Sequence, residues 1–92
     1  MKNVVIKKCE CLTFGQYIGK KYNKIYFIPD TLTMSDKECV ISLFKRMTIR
    51  DRYTRDNTYI IITKDVEYHI TKYNNTYVIR DFTKDIFYIY HI

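Results

Sequence analysis

The chain has 92 residues, of which 47% are hydrophobic and 16% aromatic, a length suited to one core and a composition that excludes a disordered polymer. Sixteen Lys and Arg against ten Asp and Glu leave a net charge of +6, which favours acidic partners but also falls within what solubility ordinarily requires. Three cysteines, Cys9, Cys11 and Cys39, make an odd set that excludes a closed disulfide framework.

The start of the chain carries Lys7, Lys8 and Glu10 where a secretory leader needs an unbroken apolar run. No stretch reaches the roughly 18 apolar residues of a membrane span, so the expected setting is cytoplasmic and reducing, with no membrane partner. The lack of Ala and Trp beside abundant Ile, Lys, Tyr and Asn is a pattern that AT-rich coding produces, and it is compatible with a viral or phage accessory protein.

In chain order, Asn3 to Leu12 alternates like a strand, Gly15 and Gly19 allow a bend, and Lys24 to Ile28 reads as a further strand stopped by Pro29. These form an N-terminal β-hairpin or three-strand unit. Ser35 and Glu38 fit a capping box, and Val40, Leu43, Phe44 and Met47 then recur as one helical stripe. The spacing predicts an amphipathic helix over about 36–48.

From about 57 to 92 the chain reads as a four-stranded antiparallel meander with two-residue turns at Lys64-Asp65, Asn74-Asn75 and Lys84-Asp85. Those turns pair Thr63 with Val66, Ile61 with Tyr68, Tyr59 with Ile70, Ile70 with Ile79, Ile79 with Tyr90, and Tyr77 with Ile92. All of these fall on one face. The opposite face is mixed and sets His69 across from Arg80 and Phe82 across from Phe87. It is either folded over by the N-terminal strands or left to meet a partner. The fold class expected is α+β, as one domain over residues 1–92.

Cys9 and Cys11 share a strand face and with Cys39 and a His could complete a zinc site, but structural zinc prefers C-x2-4-C knuckles, and packing explains them better. Cys39 early in a helix could be an activated nucleophile, yet its only bases, His69 and His91, are distant in sequence. Turn chemistry accounts for Asp51, Asp56, Asp65, Glu67, Asp81 and Asp85. There is no phosphate loop, HExxH or dinucleotide fingerprint. The expectation is therefore no enzyme, no metal and no cofactor.

The densest feature is the segment from Lys45 to Arg55, where Arg46, Arg50, Arg52 and Arg55 accompany Tyr53. Guanidinium forks match carboxylate and phosphate, and the tyrosine can anchor a contact. The bland alternative is a solvated connection in which Asp51 and Asp56 neutralise their neighbours. The expected function is a small regulator or inhibitor binding an acidic protein surface through Lys45, Arg46, Arg50, Arg52, Tyr53, Arg55, His69, Arg80, Phe82 and Phe87. The alternative is nucleic-acid binding through Lys45 to Arg55, and a homodimer is compatible with either.

Overall fold

The computed structural model describes the backbone of residues 7–13 and all of residues 29–91. Its elements are β1 (Lys7–Thr13), α1 (Met34–Ser42), β2 (Ile49–Arg55), β3 (Thr58–Thr63), β4 (Glu67–Tyr73), β5 (Thr76–Asp81) and β6 (Ile86–His91). The strands form one antiparallel sheet in the order β1-β6-β5-β4-β3-β2. This is the mixed α+β architecture expected. Of the N-terminal unit only β1 is described, and it extends the sheet beside β6 instead of crossing a face. The strand expected at Lys24 to Ile28 lies outside the described residues.

The period-two reading of the meander holds through two turns. Ile61 pairs with Tyr68, Tyr59 with Ile70, Ile70 with Ile79 and His69 with Arg80, while the Thr63 amide closes on the Val66 carbonyl at 2.9 Å. The third turn is wider than expected. Asp81, nearly buried, accepts from the amides of Thr83 and Lys84, both at 2.9 Å, and this Asx-type cap holds a four-residue loop from Phe82 to Asp85. Ile79 therefore pairs with Tyr88 and Tyr77 with Tyr90, and Phe87 faces Arg80 in place of Phe82. The slip is two residues, an even number, so each side chain keeps its face.

The meander also has one strand more than expected. The segment Ile49–Arg55, which charge alone marks as a connection, pairs along β3 after a two-residue turn at Asp56-Asn57. Asp56 supplies the left-handed backbone of that turn with φ 54°, as Asn74 does between β4 and β5.

The helix is shorter than 36–48 and begins two residues earlier. Thr33, not Ser35, is the cap: its hydroxyl accepts from the Asp36 amide at 3.1 Å, and the Asp36 carboxylate accepts from the Thr33 amide at 2.8 Å. The end comes at Ser42, whose hydroxyl donates to the Cys39 carbonyl at 2.6 Å. That carbonyl is the acceptor the Leu43 amide would use in a continuing α-helix, and Leu43 turns instead to Val40 at 3.0 Å. A tight turn through Met47 follows, leaving Met47 exposed.

One core lies between this helical segment and the Ile/Tyr face of the sheet. Leu32, Val40 and Phe44 pack on Tyr59, Ile61, Tyr68, Ile70, Tyr77 and Ile79, with Phe44 edge-on to Tyr68 at 4.9 Å between ring centres. On the other face Val78, Phe87 and Ile89 form a second buried cluster flanked by Tyr73, and Ile60 is buried as well. Much of the apolar part of the mixed face is thus removed from solvent, with Phe82 left 44% exposed.

A buried polar group locks the helix to the sheet. Asp36 Oδ1 accepts from the Tyr77 hydroxyl at 2.5 Å and from Lys72 Nζ at 3.0 Å. Burial alone would raise the Asp36 carboxyl, but the bonds from Tyr77, the Thr33 backbone, Lys72 and the Thr33 hydroxyl hold it at about 2. Burial and the adjacent Asp36 push the Tyr77 phenol well above its ordinary value. The segment leading into α1 is pinned at the same end of the sheet. Asn57 donates to the Pro29 carbonyl at 2.9 Å, and Asp30 bridges to Lys72 and accepts from the Asn74 amide at 2.8 Å.

Candidate functional site

The expected contact residues fall into three places. Lys45 and Arg46 sit exposed in the turn after α1, Arg50, Arg52, Tyr53 and Arg55 lie on β2, and His69, Arg80, Phe82 and Phe87 meet on the opposite face near the β5–β6 loop.

The last group is a closed arrangement. Arg80 lies over the Phe82 ring at 4.1 Å and the Phe87 ring at 5.2 Å, and its Nη2 and Nε donate to Asp85 Oδ1 at 2.8 and 3.1 Å. The His69 ring lies tilted by 43° against Phe82, 4.1 Å between ring centres, and meets Glu67 at 2.5 Å. Phe82 is 44% exposed, whereas Phe87 is 5% exposed and serves as floor. With its cation already held by Asp85 and two rings, the group reads better as a clasp on the β5–β6 loop than as an open recognition surface.

β2 has the opposite character. It is an edge strand, pairing among the described residues with β3 alone, and from Arg50 to Arg55 every residue is exposed. Among the described residues none of Arg46, Arg50, Arg52 and Arg55 takes part in an ion pair. Asp51 does not neutralise its neighbours: its carboxylate accepts from the Arg52 backbone amide at 2.8 Å. The arginines are therefore available charges, not partners of the aspartates between them.

The pleat divides them. Arg52 pairs with Ile61 and Thr54 with Tyr59, which places both on the helix-bearing face, while Tyr53 pairs with Ile60 and Arg55 with Thr58 on the other. On the helix-bearing side, β2 and α1 bound an open cleft of about 410 Å3 lined by Met34, Lys37, Glu38, Ile41, Arg52, Tyr53, Thr54 and Tyr59. Lys37 reaches over the Tyr59 ring at 5.5 Å, and Met34 is 72% exposed at the rim. The cleft is a greasy floor between two cations. Met34, Lys37, Glu38, Ile41 and Thr54 were not among the residues marked by sequence, because their grouping depends on β2 being a strand alongside α1.

Cys39 is buried in the core, and the side chains of Cys9 and Cys11 lie outside the described residues. Among the described residues no three His, Cys, Asp or Glu side chains group together, and no helix is long and apolar enough to cross a membrane. Compared with family models, with curated proteins and with solved structures, the chain gives no match in any of the three.

Proposed function

We propose that the protein is a small non-enzymatic regulator or inhibitor that binds an acidic protein surface through β2 and the cleft beside α1. The observation that carries this reading is an exposed edge strand bearing Arg50, Arg52 and Arg55, none of them engaged in an ion pair among the described residues, with Tyr53 40% exposed between them. Unpaired guanidiniums steer an acidic partner, the apolar cleft with Met34 at its rim supplies anchoring area on the Arg52 side, and half-exposed Tyr53 supplies it on the opposite face.

Nucleic acid remains the second reading, since the same arginines suit phosphate. The division of Arg52 and Arg55 between opposite faces counts against it, because a backbone track needs its cations aligned on one surface. The test is affinity capture with the wild-type chain and with an R50A/R52A/R55A variant, each with and without nuclease, beside a salt titration with generic DNA and RNA. The expected result is a protein retained by wild type, lost from the variant and indifferent to nuclease. Retention abolished by nuclease, or tight nucleic-acid binding that weakens steeply with salt, would reverse the assignment.

A further inference from the structure

We infer that β2 takes up an acidic, extended segment of the partner protein as an added strand of the sheet. This rests on the binding reading above and specifies the form of the partner. Arg55 and Thr58 flank the two-residue turn, so they form a hydrogen-bonded pair, and Tyr53 with Ile60 forms the next. The alternation of an antiparallel ladder then aims the N–H and C=O groups of Arg52 and Thr54 away from β3, toward the open edge.

The bond from the Arg52 amide to Asp51 fits that geometry. It places a carboxylate oxygen on an edge donor. A main-chain carbonyl of an incoming strand would meet the same donor, and its Asp or Glu side chains would meet the flanking arginines. Residues opposite Arg52 and Thr54 would point to the helix-bearing side, into the cleft where Lys37 offers a further cation and Ile41 and Tyr59 an apolar floor.

Charge selects the occupant. An uncovered edge invites pairing with any extended chain, including a second copy, and charged side chains are the usual defence. Within β2 there are three arginines and one aspartate, so two copies set edge to edge would bring together an excess of like charge, whereas an acidic strand meets complementary charge. The features that discourage self-pairing are the ones that would admit an acidic segment.

The test uses a blocked peptide of alternating Glu and Thr, its backbone-ester counterpart with the same charges but without N–H donors, and a Lys-Thr peptide. The full-length chain should bind the Glu-Thr amide, bind the ester about tenfold or more weakly, and ignore the Lys-Thr peptide. Hydrogen exchange at the Arg52 and Thr54 amides should slow about tenfold in the complex, and R52E should lose binding without loss of fold. Equal affinity for amide and ester with unchanged exchange would overturn strand addition while leaving acidic binding intact. Failure of both acidic peptides at low salt would overturn both. Concentration-dependent protection of Arg52 and Thr54 without peptide would assign the edge to a second copy, and a single-stranded oligonucleotide that displaces the peptide and binds more tightly would assign it to nucleic acid.

Discussion

Asp36 joins three structural elements through two carboxylate oxygens: it closes the cap of α1 with Thr33, takes the Tyr77 hydroxyl from β5, and pairs with Lys72 on β4. Removing it strands a buried phenol and a half-buried cation and uncaps the helix at once. Asp36→Ala should cost about 2 to 4 kcal/mol, read as a fall in the denaturant midpoint at neutral pH. The pH dependence follows from the depressed carboxyl. Its folded value of about 2 lies below the ordinary 3.8, so its contribution is complete above about pH 4 and is lost as pH falls toward 2. The loss is on the order of 2 kcal/mol. Tyr77→Phe withdraws one of the bonds that lower that carboxyl and should move the acid limb upward. At the other extreme, the raised phenols of Tyr77 and Tyr68 contribute stability that is present below their ordinary 10 and lost as pH rises beyond it. A melting series across both limbs checks the two signs.

The turns decide how the elements meet. Asp56 and Asn74 both hold φ 54°, a conformation Asp and Asn tolerate and a β-branched residue does not. Asp56→Val should cost about 1 to 2 kcal/mol and loosen β2 before the rest of the sheet, visible as faster amide exchange at Tyr53 and Arg55, whereas Asp56→Gly should be tolerated. The same turns explain what the sequence disclosed. Alternating Ile and Tyr fixed the faces of β3, β4 and β5, and a misplaced third turn left those faces intact because the slip was even. β2 escaped notice because an edge strand exposed on both sides has no apolar alternation to betray it. Its signal was local: the turn pair Asp56-Asn57 followed by the run rich in β-branched residues that begins at Thr58. The helix end was hidden for another reason. The stripe of Val40, Leu43 and Phe44 continues past Ser42, but one hydroxyl bond to Cys39 diverts the ladder. The open edge, and with it the cleft, became visible only when strand order did.

At the scale of the whole molecule, five strands follow one another in space as they do in sequence, while β1 reaches across to close on β6. β6 runs Ile86, Phe87, Tyr88, Ile89, Tyr90, a sequence of high β-propensity without charge. Deleting residues 1–13 should convert that strand into an uncovered edge and give a protein that self-associates, seen as thioflavin-positive growth or a concentration-dependent rise in light scattering. The consequence is one of timing. Neighbouring hairpins can zip within microseconds, but the β1–β6 pairing must wait for the two described strands furthest apart in sequence to find each other, a slow search that leaves an aromatic-rich ribbon unguarded in the interim. Maturation of this sheet is therefore a race between an intramolecular clasp and encounters with other chains, and β1, which precedes the other described strands in sequence, is the one that ends the race.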